Sequence, residues 1–202
     1  IKMSNLYRQY GKRWFDFIAA LIGFSVLSPV FLLISIIVKI TSKGPVFFKQ
    51  ERIGKNFVPF KMIKFRSMIV NDAKNHQLVT YSGDPRITSV GKFLRRYKLD
   101  ELPQLLNVIL GDMSLVGPRP EVMRYIQHYK KEYEFILSIQ PGITDNAAIA
   151  FRNEEEILSQ YKDSETAYIE KIMPKKMALY KKYIQKQTFL NDIGLILKTI
   201  FN

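Results

Sequence analysis

The chain has 202 residues, a formal net charge of +13 and an estimated pI of 9.8. No cysteine is present, which excludes disulfides and thiol catalysis, and only His76 and His128 are histidines, which argues against a multi-histidine metal site. The charge balance asks for an anionic partner: phospholipid headgroups, nucleic acid or a phosphorylated substrate.

In chain order, Leu6–Trp14 reads as a basic lead-in helix with Trp14 at headgroup level. Phe17–Val38 follows without a formal charge and is interrupted by Ser28-Pro29. As one helix it would be about 33 Å long, close to a hydrocarbon core of roughly 30 Å. Pro29 lacks an N–H and its ring clashes one turn back, so the helix kinks or breaks there. Lys2, Arg8, Lys12 and Arg13 precede the stretch. Lys39, Lys43, Lys49, Arg52, Lys55, Lys61, Lys64 and Arg66 follow it, against Glu51 alone. Positive charge marks the cytoplasmic side. Two such flanks describe a segment that enters, turns at Ser28-Pro29 and returns; a proline-kinked crossing helix is the other reading. No small-residue cleavage site follows Val38, so a signal peptide fits poorly.

Beyond a turn at Ser42–Pro45, Val46–Gln50 and Phe57–Met62 read as strands of a small β-hairpin. Met68–Asn75 reads as a short helix and Leu78–Arg86 as a loop. Helices are expected at Ser89–Tyr97, from Asp100 through Pro103 to Leu110, and over Glu121–Ile139. Further helices are expected at Glu154–Ser159, Thr166–Met173, Pro174–Lys186 and Asn191–Phe201. The last two are apolar on one side and Lys-rich on the other, which suits either a membrane surface or the domain's own core. The fold class is α+β, predominantly α-helical. Residues 1–40 form the lead-in and membrane segment, and 41–202 a catalytic domain.

Between residues 59 and 120 groups suited to phosphate accumulate: Lys61, Lys64, Arg66, Arg86, Arg95, Arg96, the pair Asp100-Glu101, and Arg119 between two prolines. Arginine presents a planar fork to phosphate oxygens. Adjacent carboxylates in a basic field suit Mg²⁺ binding or attack on phosphorus, and the cations should keep Asp100 ionised. The plainer reading makes Asp100 a helix N-cap and Glu101 a partner of the helix dipole.

Five strings carry a resemblance: KRWFDFIAALIGFSVLSPVFLLISIIVKI (12–40), GPVFFKQERIG (44–54), KFRSM (64–68), GDPRITSVGKFLRRYKLDELPQLLNVILGDMSLVGPRP (83–120) and QPGIT (140–144). Together they resemble the bacterial sugar transferase family, the monotopic polyprenyl-phosphate phosphoglycosyl transferases. The resemblance implies a re-entrant membrane helix broken at Ser28-Pro29, on the cytoplasmic face of a bacterial plasma membrane. It implies that Asp100 attacks the β-phosphate of a UDP-sugar, expels UMP and forms a phosphosugar ester, which polyprenyl phosphate (undecaprenyl phosphate) then attacks. Glu101 would help hold Mg²⁺ with Asp100, or act on the incoming phosphate. Lys64, Arg66, Arg86, Arg95 and Arg119 match basic positions of the shared strings and would serve substrate phosphates. The implied partners are UDP-sugar, polyprenyl phosphate and membrane phospholipid, without nucleic acid, and a homo-oligomer is compatible with them. After QPGIT this chain departs from the family's Gly-containing run with Asp145-Asn146-Ala147-Ala148-Ile149, which puts the choice of sugar in question. The rival reading is a non-enzymatic, membrane-tethered basic protein that binds nucleic acid or acidic lipid.

Overall fold

The computed structural model describes residues 6–69 and 84–201. It is mostly helical with two small sheets, an α+β architecture. A π-helical turn, Tyr7–Gly11, leads into helix α1 (Lys12–Val26), and α2 (Ser28–Thr41) follows at a bend of 62°. The chemistry of the bend is local. Pro29 has no N–H to give the carbonyl of Ser25, one turn back. The Ser28 hydroxyl donates to that carbonyl instead, at 2.8 Å. Among the described residues no single helix is long and apolar enough to cross a membrane, although the bent pair together has the length and composition.

One side of this pair is buried. Ala20 packs with Met62, Val108 and Met113, and Phe31, Ile34 and Val38 pack with Phe65 and Leu94. The other side leaves Ile18, Leu21, Ile22, Val26, Leu32, Leu33, Ile36 and Ile40 exposed. A soluble monomer rarely shows so continuous an apolar face to water.

Strands β1 (Phe47–Ile53) and β2 (Pro59–Phe65) form the antiparallel hairpin, registered from Phe47↔Phe65 to Ile53↔Pro59. Both strands extend about three residues beyond the C-terminal ends expected from pattern alone. The connection sets the start of β2: Asn56 and Phe57 both adopt positive φ (55° and 62°), so pairing resumes only at Pro59. The helix expected at Met68–Asn75 and the loop at Leu78–Arg86 fall mostly outside the described residues; Met68 bridges Ile87.

Helix α3 (Ser89–Arg96) is capped by Thr88, whose hydroxyl accepts from the N–H of Gly91 at 2.9 Å. Lys98 then takes a left-handed conformation (φ 56°) and turns the chain into a 3₁₀ turn, Leu99–Glu101. The single helix expected from Asp100 to Leu110 is therefore divided. Pro103 cannot donate to the carbonyl of Leu99, which accepts the tighter bond from Leu102 at 3.3 Å, and α4 runs Gln104–Leu110. Gly111 (φ 97°) ends it, as expected. Asn107, fully buried on α4, fixes the hairpin: Oδ1 accepts from Ile63 N–H and Nδ2 donates to Lys61 C=O, each at 2.9 Å.

A second sheet, absent from the pattern reading, pairs β3 (Ser114–Val116) in parallel with β4 (Gly142–Thr144). Its backbones meet at Gly117 and Gly142, where a Cβ on Gly142 would overlap the backbone N of Gly117. The helix expected over Glu121–Ile139 is broken into α5 (Met123–Ile126), a 3₁₀ turn and α6 (Lys130–Ile136). Tyr129 leaves helical geometry (φ −137°, ψ 40°), and its hydroxyl donates to Ile169 C=O at 2.9 Å.

The rest is helical: α7 (Asn146–Ala150), α8 (Glu154–Ser159), α9 (Ser164–Ala167), α10 (Met173–Gln185) and α11 (Phe189–Phe201). Helix α10 does not lie free. It buries Met173, Met177, Tyr180, Tyr183 and Ile184 in the main core. Helix α11 divides its surface, with Asp192 and Leu195 buried and Leu190, Ile200 and Phe201 exposed. Asp192 gathers the Tyr7 hydroxyl (2.7 Å), the Lys12 ammonium (2.7 Å) and the Tyr183 hydroxyl (2.8 Å), tying lead-in, α1, α10 and α11 together.

Candidate active site

The end of β2, the 3₁₀ turn before α4 and the loop after β3 converge on four side chains. Lys64 comes from the strand, Asp100 and Glu101 from the turn, and Arg119 from the Pro118-Arg119-Pro120 segment. Arg119 grips Glu101 with both terminal nitrogens: Nη1 lies 3.0 Å from Oε2, and Nη2 donates to Oε1. Lys64 Nζ donates to the same Oε1 at 3.1 Å. Glu101 is thus a carboxylate held between two cations.

Asp100 is built differently. It is buried, and among the described residues its Oδ1 has no hydrogen-bond partner. Asp100 caps no helix, so that half of the plainer sequence reading fails: the turn and α4 both lack a side-chain cap. The electrostatics separate the pair. Burial pushes the Asp100 carboxyl above its ordinary range, more strongly than Lys64, Arg95 and Lys98 pull it down, and the charge of Glu101 adds to the rise. The cations expected to keep Asp100 ionised are thus opposed by desolvation, which sets the direction of the net shift. Burial also works against ionised Glu101, but Arg119 and Lys64 outweigh it and hold that carboxyl well below its ordinary range. Lys64 is pushed down by burial and by Arg119, with Glu101 opposing.

The other predicted cations lie differently. Arg66 is buried, and its Nη2 donates to Ser42 C=O (2.6 Å), Ser42 Oγ (2.8 Å) and Val38 C=O (3.3 Å). It satisfies the carbonyl end of α2 rather than facing the carboxylate pair. Arg86 forks onto Asp84, with Nε 3.0 Å from Oδ1 and Nη2 2.6 Å from Oδ2. Arg95 pairs with Glu155 of α8, while its charge still reaches Asp100. Glu154, beside it, pairs with Lys176 of α10 at 2.6 Å. A cavity of about 500 Å³ opens along α7 and α8, lined by Ile149, Arg152, Asn153, Glu156, Ile157 and Gln160.

A metal was expected at Asp100 and Glu101. Among the described residues no group of three or more His, Cys, Asp or Glu could hold one. Both oxygens of Glu101 are engaged by cations. Asp100 Oδ1 is buried and without a hydrogen-bond partner among the described residues, and Mg²⁺ commonly sits on one or two carboxylates with substrate phosphates and water supplying the rest. Glu101 Oε2 accepts a single bond and Asp100 Oδ1 none, so both carboxylates keep acceptor capacity that suits a Mg²⁺ ion completed by phosphate and water.

Sequence reading met Asp145 only as part of the departure that puts the choice of sugar in question. The structure buries its carboxylate, which accepts from the backbone N–H of Ala147, of Ala148 at 2.9 Å and of Arg119 at 3.1 Å. The available signal was an acid followed by Asn-Ala-Ala, a helix start.

The model of the family described as "Bacterial sugar transferase" matches residues 7–202. UDP-N-acetylgalactosamine-undecaprenyl-phosphate N-acetylgalactosaminephosphotransferase of Aeromonas hydrophila is 40% identical over 141 residues, 68% of this chain and 33% of that protein. UDP-glucose:undecaprenyl-phosphate glucose-1-phosphate transferase of Escherichia coli K12 is 38% identical over 196 residues, covering 94% of this chain and 39% of that protein. Exopolysaccharide production protein ExoY of Sinorhizobium fredii is 36% identical over 204 residues, covering 94% and 83%. The chain thus spans well under half the length of the first two and most of the third.

Proposed function

The chain belongs to the bacterial sugar transferase family, and on that premise we propose that it moves a sugar-1-phosphate from a UDP-sugar to a polyprenyl phosphate at a membrane surface. The relatives' names specify undecaprenyl phosphate as acceptor and UDP-glucose or UDP-N-acetylgalactosamine as donor. The single observation that carries the chemistry is Asp100: a buried carboxylate of raised basicity with one oxygen unpartnered, next in the chain to Glu101, which clamps Lys64 and Arg119.

In the proposed first step an Asp100 oxygen bonds to the β-phosphorus of the donor. The bond from that phosphorus to the bridging oxygen breaks, and its electron pair leaves on UMP. In the second step an oxygen of polyprenyl phosphate bonds to the same phosphorus, and the Asp100 carboxylate departs with the electrons of the acyl-phosphate bond. The product is polyprenyl-diphosphate sugar. One nucleophile thereby serves a soluble donor and a lipid acceptor in turn. Phosphoryl transfer needs chiefly positioning and charge neutralisation. Lys64 and Arg119 supply positive charge, and Glu101 holds both in place. Asp100 and Glu101 are the residues that would hold Mg²⁺, whose charge would neutralise the substrate phosphates.

Incubation with a panel of UDP-sugars but no acceptor is expected to release UMP, up to one equivalent, and to add one phosphosugar mass to the peptide containing Asp100. UMP release that requires acceptor and leaves no adduct would mean direct transfer. No UMP from any donor would favour the non-enzymatic rival.

The α1–α2 pair is proposed to enter and leave the membrane on the cytoplasmic side. Its 62° bend, exposed apolar side and cationic flanks support this reading. The absence of native cysteine makes a clean test. Single cysteines at Gln9→Cys and Lys43→Cys should react with an impermeant maleimide from the same side of sealed vesicles. Reaction from opposite sides would make the segment a crossing helix.

A further inference from the structure

We propose that Asp145 is a positioning residue for the transfer, acting through the backbone of Arg119; the assignment rests on the transferase reading above. Pro118 and Pro120 have no N–H, so the Arg119 amide is the one backbone donor in that segment. It donates to Asp145 Oδ2 at 3.1 Å. The parallel β3–β4 ladder ends at Val116↔Thr144, after which Gly117 N–H donates to Thr144 C=O at 3.0 Å, while Pro118 C=O accepts from Gly142 N–H, back at the start of β4, at 2.9 Å. Just past the ladder, where the backbone of Pro118 cannot donate, the Asp145 side chain takes the Arg119 N–H.

The second oxygen has another task. Oδ1 accepts from the N–H groups of Ala147 and Ala148 and caps α7. Capping alone needs no charge, since Ser or Asn caps about as well. Burying a carboxylate is costly, and Asp145 is 1% exposed. What a carboxylate adds over those caps is acceptors on both oxygens, so that one side chain binds the α7 N-terminus and the Arg119 segment together. From this fixed backbone Arg119 reaches Glu101 through both terminal nitrogens, and Glu101 in turn orders Lys64 beside Asp100. Asp145 therefore governs the reacting carboxylate's surroundings at two removes.

Two variants separate this role from capping. Asp145→Asn keeps an oxygen for the cap but sets an NH₂ against the Arg119 N–H. Asp145→Ser keeps a capping oxygen and is too short to reach Arg119. In the full chain reconstituted with polyprenyl phosphate, each is expected to lower kcat by about 10- to 100-fold, with a smaller change in the donor KM. In an Arg119→Lys background the added loss should shrink to less than about threefold, since residues that act as a unit are non-additive. Hydrogen exchange gives a readout free of activity. A peptide spanning 118–120 reports the Arg119 amide, which should exchange at least about tenfold faster in Asp145→Asn than in the parent. Unchanged exchange at Arg119, unchanged kcat, or equal fractional losses in both backgrounds would overturn the assignment. A parent chain that releases no UMP removes the transferase reading itself, and the assignment with it.

Discussion

Asp100→Asn is expected to cut turnover by about 10³-fold or more, to abolish the phosphosugar adduct, and to leave the protein at least as stable as its parent near neutral pH. The first two results follow if the carboxylate forms the bond to phosphorus, because an amide is a far poorer nucleophile. The third follows from the environment. Asp100 is buried with one oxygen unpartnered, and burial raises its carboxyl above the ordinary range. Between the ordinary value and that raised value the native state holds more protons than the unfolded chain. Stability therefore falls as pH rises through the interval, and the ionised group works against folding above it. The amide removes that cost without altering volume. Thermal midpoints and UMP release measured on the same preparation decide the matter. Retention of more than about a tenth of the turnover would remove Asp100 from the chemistry. A midpoint lowered by several degrees would mean that the carboxylate has a stabilising partner.

Much of the site was legible because its residues carry their signal locally. Ser28-Pro29 announces a bend through the missing proline N–H, and the Ser28 hydroxyl completes it. Asp100-Glu101 stands out in a basic field, and Arg119 stands between prolines. The remainder depends on contacts that linear pattern does not contain. Nothing near Arg66 announces Ser42 as its acceptor, and nothing near Arg95 announces Glu155, sixty positions later. Which cations already have an internal partner is a tertiary fact, so pattern alone could not rank Lys64, Arg66, Arg86, Arg95 and Arg119 against one another. Strands β3 and β4 are three residues each, too short for alternation to show. Their pairing rests on two glycines whose backbones touch. Asp145 was visible only as a departure from a familiar run, and its meaning came with the position of the Arg119 amide.

Glu101→Gln is expected to do the opposite of Asp100→Asn: to lower stability by about 3 kcal/mol, or roughly 6–12 °C in thermal midpoint, together with activity. Glu101 is the counter-charge of both Lys64 and Arg119. Its removal leaves two cations facing each other in a largely buried site. The estimate sits at the low end for a broken buried pair because the Arg119 side chain remains 26% exposed and that of Lys64 19%. The pH dependence has a definite sign. Glu101 is held well below the ordinary carboxyl range, so its contribution is present in full above the unfolded value of about 4.3 and is lost as pH falls through the folded value. The parent should therefore lose stability steeply on acidification, while Glu101→Gln starts lower and falls less. A second change tests the cause. Lys64→Met in the Glu101→Gln background removes one orphaned cation and should recover part of the lost midpoint without recovering turnover, whereas Lys64→Met alone should destabilise. If Glu101→Gln melts with the parent across this pH range, the two cations are held by something other than Glu101. The carboxylate pair would then not divide into a reacting member and a clamping one.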